Sequence, residues 1–390
     1  MIPPVMDSKN VPRVNLSPGL ASSLKSVSET GFESARALPG ELYSSQEMLV
    51  LERQHIFSQE WICVGRTAEI PKAGDYLTFD IVNHPVLVVR QDDASIEAFS
   101  NICLHRGAKL VEGCGTSTRF VCPYHAWTYS TDGRLTGTRF MEKTPGFNTE
   151  DYRLAKLRCE VWEGFIYVTL DAHISSVAER LTDLSHVVGS FRVADYRHVF
   201  TKDEVWPANW KCFVENYMDA YHLFKVHAKT FGQSGHYEDL TRLYDGGNHY
   251  TYHLVDSREG DPGGVAHRDN HWIRREFRRT TVLACVFPSH TMQLQPDFLW
   301  YVTVQPHGVD HFRMRWSVSV PDEILADLKD PDAYTDELRD FLIEVNSEDE
   351  AIVSRAYAGL RANTSIRGPL SYLERNVYRF DQYLARQLCT

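Results

Sequence analysis

Nowhere in these 390 residues is there an apolar run of the roughly 20 residues that a membrane-spanning helix needs, and residues 1–20 lack the apolar core of a secretory signal. These absences lead to the expectation of a cytoplasmic protein with no membrane partner. Positive charge is also in deficit: 41 Lys and Arg face 52 Asp and Glu, a formal net charge of -11. That balance excludes a general nucleic-acid or anionic-lipid binder, which must neutralise rows of phosphates. No internal repeat, low-complexity tract or evident flavin or nicotinamide site is present. The eight cysteines, at 63, 103, 114, 122, 159, 212, 285 and 389, are scattered. Such scatter points to metal binding or burial rather than a disulfide framework.

What is present is a globular composition, 43% hydrophobic and 24% charged, in a chain longer than one core usually supports. Residues 1–40 are rich in Ser and Pro without periodicity, which predicts a loosely ordered arm. In residues 41–60, Ser44 with Glu47 forms a capping box for a helix whose apolar side carries Met48, Leu49, Leu51, Ile56 and Phe57. This helix is expected to pack with the second domain. Residues 61–170 are short β-rich runs (YLTFDIV, HPVLVVRQ, GFIYVTL) between turn residues, the pattern of a small antiparallel β domain. Residues 171–390 mix a helical stretch (177–191), strands at TTVLACVF, LWYVTVQP and FRMRWSVSV, and acidic helices over 322–360. The expected fold class is therefore α+β: an all-β domain ahead of a larger α+β domain whose antiparallel sheet is flanked by helices. The basic run HWIRREFRR (271–279) reads as a solvated face or strand edge.

Two short segments of the β domain carry chemistry. CLHRG and CPYHAW together read C-x-H, sixteen intervening residues, then C-x-x-H. Zinc fingers place two cysteines on one turn and two histidines on a helix, whereas here each loop offers one thiolate and one imidazole. A [2Fe-2S] cluster with Cys103 and Cys122 on one iron and His105 and His125 on the other suits that interleaving. The segments resemble the Rieske proteins. Respiratory members carry two further cysteines that clamp the loops; the matching positions here are Ala108 and Tyr124, so the resemblance leans to the oxygenase branch. Ala126 stands where many relatives have glycine.

The second constellation is NYMDAYHLFKVH, in which Asp219, His222 and His227 read D-x-x-H-x-x-x-x-H. Residues three apart share a helix face, but five residues advance about 500°, leaving His227 about 140° from His222. A common metal therefore requires a turn or helix end between them. Two imidazoles and a carboxylate form the facial set of non-haem Fe(II) centres. Periodicity alone leaves Glu348, Asp349 and Glu350 open as the third ligand.

The whole stretch resembles Rieske non-haem iron oxygenase α subunits, and that resemblance selects Asp349. It also implies that Asp219 links His222 to His125 of an adjacent chain in a homotrimer, with Asn216 close to the iron. A terminal oxygenase is implied, using O2, a small organic substrate and electrons from a separate NAD(P)H-dependent reductase or ferredoxin. An aromatic substrate is favoured, with a choline- or betaine-type quaternary amine as the alternative. An electron carrier or a zinc-binding module is the rival. Met292, Trp300, Phe341 and Leu342 are candidates for the pocket lining; a carboxylate substrate favours an inward Arg275 or Arg313.

Overall fold

The computed structural model describes residues 16–230, 237–257, 265–362 and 367–389. The chain divides into two compact units, one over Phe57–Glu179 and one combining Arg13–Ile56 with Arg180–Thr390.

In the first unit the strands are β1 (Ile62–Arg66), β2 (Asp75–Ile81), β3 (His84–Arg90), β4 (Ile96–Ser100), β5 (Cys114–Thr116), β6 (Arg119–Val121), β7 (Thr128–Ser130), β8 (Leu135–Gly137), β9 (Lys156–Trp162) and β10 (Phe165–Thr169). They form a seven-stranded antiparallel sheet, in the order β1-β10-β9-β4-β3-β2-β5, and a three-stranded sheet β6-β7-β8. Leu87, Val89, Phe99, Phe120, Trp127 and Tyr129 close a core under the loops that follow β4 and β6. This unit extends nine residues past the expected boundary at 170. The indole of Trp61 donates to the Ser175 carbonyl at 2.8 Å and the Val177 amide donates to Glu160 at 2.7 Å, tying that segment to the β domain.

The second unit holds a seven-stranded antiparallel sheet of β11 (Arg197–Trp206), β12 (Thr241–Tyr244), β13 (Tyr250–Asp256), β14 (Thr280–Val286), β15 (His290–Leu294), β16 (Leu299–Pro306) and β17 (Phe312–Val320), in the order β11-β17-β16-β15-β14-β13-β12. Helices Trp210–Met218, Pro331–Leu360 and Arg375–Leu388 accompany it. The expected loose arm is different in its described part: Pro18–Glu29 is a helix burying Leu20, Leu24 and Val27. Proline at its start and a one-sided apolar stripe account for that helix. It is held to the C-terminal helix by Tyr378 and Gln382, which donate to the carbonyls of Thr30 and Val27. Helix Gln46–Glu52 is capped by Ser45 rather than Ser44, the hydroxyl accepting from the amides of Glu47 and Met48. Among the described residues no helix is long and apolar enough to cross a membrane.

Candidate metal centres

The two cluster loops are built alike. The Cys103 amide donates to the Ala108 carbonyl at 2.8 Å and the Gly107 amide returns to the Cys103 carbonyl at 3.0 Å. Cys122 repeats this with Trp127 and Ala126, at 2.8 and 3.0 Å. The fifth residue of each loop turns left-handed, Gly107 at φ +74° and Ala126 at φ +58°. A side chain makes that conformation costly by about 1–2 kcal/mol, so Ala126 tolerates a strain that glycine avoids.

The imidazoles of His105 and His125 lie 4.6 Å apart, and His105 stacks on Trp127 at 4.9 Å. The Cys103 and Cys122 side chains are buried, and burial pushes the Cys103 thiol up. The Tyr129 oxygen accepts from the Leu104 amide at 3.0 Å and stands 3.4 Å from Cys103 Sγ. Nδ1 of His105 is buried with no hydrogen-bond partner among the described residues. Two interacting thiols and an unpaired ring nitrogen are a donor set that fits a two-iron cluster. All eight cysteines are free.

In the second unit, Asn209 caps helix Trp210–Met218, accepting from the Lys211 amide at 3.1 Å. The start of that helix is anchored by a buried ion pair between Lys211 and Glu52, which also accepts from the Trp210 indole at 2.7 Å. The helix stops at Met218, and Asp219 is extended at φ -83°, ψ 110°. His222 and His227 then flank the single turn Leu223–Val226. The two histidines thus stand at opposite ends of one turn, and their Nε2 atoms come within 3.2 Å of each other.

The long helix Pro331–Leu360, capped by Asp330, brings Asp349 to this pair. Its Oδ1 lies 3.2 Å from His227 Nε2 and 3.7 Å from His222 Nε2. Adjacent ligands at about 2.1 Å from a metal are about 3 Å apart, so this triangle fits one face of an octahedral ion. Among the described residues, these three are the one group of His, Cys, Asp and Glu so assembled.

The neighbouring acids play other parts. Glu348 accepts from His227 Nδ1 at 2.9 Å and from the Thr230 hydroxyl at 2.7 Å. Glu350 stands near Lys202 and Glu204 of β11, its carboxyl pushed up by burial. Burial lowers the His227 pKa, but the Asp349 and Glu348 carboxylates outweigh it and hold the imidazole above its usual value. Asn216 donates to Asp349 Oδ1 at 2.9 Å. Asp219 Oδ2 stands 3.4 Å from His222 Nδ1, and its Oδ1 accepts from the Tyr221 amide at 2.6 Å. The Glu348 contact was missed in the sequence, where it was one of three adjacent acids.

Four pocket candidates separate. His253, Leu283, Gln293, Trp300 and Val318 stand in register across β13 to β17 and share one sheet face, with the Trp300 ring 6.5 Å from that of Tyr217. Met292, also a candidate for the pocket lining, follows the two-residue period of a strand onto the face opposite Trp300. Leu342 is buried on the same helix stripe as Asp349, and Phe341 is partly buried. Arg275 and Arg313 are both exposed, so neither faces inward. In the 271–279 run, Ile273 and Phe277 are buried and Arg274, Arg275 and Glu276 are exposed, a solvated turn rather than a strand edge.

Comparison with known proteins gives the family. Residues 60–150 match the Rieske [2Fe-2S] domain, and residues 190–389 match the ring hydroxylating alpha subunit (catalytic domain). The carnitine monooxygenase oxygenase subunit of Escherichia coli K12 is 33% identical over 198 residues, 50% of this chain and 53% of that one. The glycine betaine monooxygenase oxygenase subunit of Pseudomonas aeruginosa (UCBPP-PA14) is 33% identical over 53% of this chain and 48% of its own. For the biphenyl 2,3-dioxygenase subunit alpha of Rhodococcus jostii RHA1, the figures are 30%, 50% and 44%. The matched region thus spans about half the length of these curated relatives. A solved quaternary ammonium Rieske monooxygenase, CntA, superposes with a TM-score of 0.80 at 22% identity, covering 96% of this chain and 99% of that one. Naphthalene 1,2-dioxygenase from Rhodococcus sp. gives 0.79 at 22% identity, covering 96% and 99%. With a Rieske domain ahead of that catalytic domain, the chain belongs to the ring hydroxylating alpha subunits.

Proposed function

We propose that this chain is the terminal oxygenase component of a Rieske system, acting on a small organic substrate with O2 and electrons from a separate reductase or ferredoxin. The triangle of His222, His227 and Asp349, at 3.2, 3.2 and 3.7 Å, carries the reading. A ferrous ion held there supplies O2 reduction beside the substrate, and the cluster held by Cys103, His105, Cys122 and His125 supplies electrons singly.

The chain's own residues prepare both sites. Glu348 holds the proton of His227 on Nδ1 and leaves Nε2 free to ligate. Asn216 fixes the rotation of Asp349 by donating to Oδ1. Asp219 orients His222 from the Nδ1 side and, in a head-to-tail homotrimer, accepts from His125 of an adjacent copy. Two exposed apolar sets suit such an assembly: Tyr221 and Phe224 beside Asp219, and Val121, Tyr124 and Phe140 in the cluster unit. Eight free cysteines support a cytoplasmic location.

The relatives matched act, by their names, on carnitine, glycine betaine and biphenyl. Aromatic substrates and quaternary amines therefore both remain within the class proposed here, with one-atom or two-atom insertion. Asp219→Asn tests the assignment. Both metal sites are expected to stay loaded while substrate-coupled O2 consumption is nearly abolished; full coupled consumption in the variant contradicts the bridging role.

A further inference from the structure

Helix Pro331–Leu360 buries a stripe of Leu342, Val345, Asn346, Asp349, Val353 and Tyr357. Two of its three polar members have evident roles. Asp349 belongs to the ligand triangle, and the Tyr357 hydroxyl donates to the Val309 carbonyl at 3.1 Å. Asn346 is different: it is 4% exposed, and neither Nδ2 nor Oδ1 has a hydrogen-bond partner among the described residues. A primary amide presents two donors and an acceptor, and leaving them all unmade in a buried site opposes folding where leucine would not.

The position explains the exception. Residues three apart on a helix are neighbours on one face, with Cβ atoms about 5–6 Å apart, so the Asn346 amide borders the ligand set one turn ahead of Asp349. Tyr217 follows Asn216, and its ring meets that of Trp300 edge-on, with the centroids 6.5 Å apart. The Tyr217 hydroxyl and the Trp300 indole nitrogen are likewise buried without partners among the described residues. Burial, with the nearby Cys285 and Asp349 adding to it, holds the Tyr217 phenol well above its usual pKa and keeps it a neutral donor. Asn346, one turn from Asp349, and Tyr217, within electrostatic reach of Asp349, thus leave unpaired polar groups beside the triangle, with the Trp300 ring against Tyr217, while Arg275 and Arg313 are exposed.

We propose that Asn346 is the substrate anchor: its amide hydrogen-bonds an oxygen function of the substrate, a carboxylate, carbonyl or hydroxyl, while the hydrocarbon part lies against Tyr217 and Trp300. The proposal rests on the oxygenase reading above and narrows it to oxygenated organic molecules rather than bare hydrocarbons or plain tetraalkylammonium ions.

The test is anaerobic titration calorimetry of the holoprotein with paired probes. Toluene is set against benzyl alcohol and benzoate, and butyltrimethylammonium against 4-trimethylammoniobutyrate. At least one oxygenated probe is expected to bind about ten-fold or more tightly than its partner. In Asn346→Leu that preference should shrink to about two-fold or less, with the melting temperature held or raised because no protein bond is lost. Asn346→Asp, which accepts but carries charge, should keep benzyl alcohol and lose benzoate; if the leucine variant does not fold, this inversion decides. Equal affinities within every wild-type pair, absence of binding by any probe, or a preference that survives both substitutions overturns the proposal. Failure of the oxygenase reading is seen separately, as a binding preference intact with no substrate-stimulated O2 uptake.

Discussion

Glu348 accepts a hydrogen bond from Nδ1 of His227 at 2.9 Å, while the next residue, Asp349, stands 3.2 Å from Nε2 of the same ring. Consecutive acids on one helix thus address both nitrogens of one imidazole. The first sets which nitrogen carries the proton; the second stands at the proposed metal position.

From this follows an effect of Glu348→Gln. The amide no longer stabilises a polarised imidazole, and outer-shell partners of this kind are worth about 10- to 100-fold in metal affinity. Competitive chelation of the loaded protein should show iron leaving the variant at correspondingly lower chelator concentration, with the cluster spectrum unchanged. Equal retention in both proteins counts against the contact as an orienting bond.

The cluster unit offers a parallel case. Because the Tyr129 oxygen accepts from the Leu104 amide, its own proton is free to point at Cys103 Sγ, 3.4 Å away. A hydrogen bond to a ligating sulfur stabilises the reduced cluster. Tyr129→Phe is therefore expected to lower the reduction potential measured by protein-film voltammetry, and an unchanged potential removes Tyr129 from that role.

His253, fully buried on β13, gives a pH dependence. Burial pulls its pKa down to about 4, with the nearby Asp219 opposing and His222 adding to the shift. A base with a depressed folded pKa binds the proton less well folded than unfolded, so its contribution is present above pH about 6.5 and is lost as pH falls toward 4. Between pH 7 and pH 5 this single group should cost about 2 kcal/mol in urea unfolding. His253→Leu should flatten that part of the profile; an unaltered slope would show that other groups govern it.

Much of this was legible in the sequence. The strands TTVLACVF, LWYVTVQP and FRMRWSVSV became β14, β16 and β17 because β-branched and aromatic runs between turns specify strands strongly. The requirement for a turn or helix end between His222 and His227 followed from helix geometry, and the structure joins them by the single turn Leu223–Val226, with His227 at its C-terminal end. Other features depended on tertiary contacts that no local pattern encodes. Met292 and Gln293 are adjacent in sequence yet face opposite ways, and only strand register decides which of them shares a face with Trp300. Likewise, Glu348, Asp349 and Glu350 differ little in sequence, and their separate partners, His227, the two Nε2 atoms and β11, emerge only once the helix is docked.

The measurement that bears on the whole account is iron per chain, with the paramagnetic signal of the reduced cluster, in the wild type and in Asp349→Ala. Roughly three irons per wild-type chain should fall to roughly two in the variant, with the low-field cluster signal intact. Equal iron in both proteins, or two irons in the wild type, would contradict a mononuclear site built on His222, His227 and Asp349.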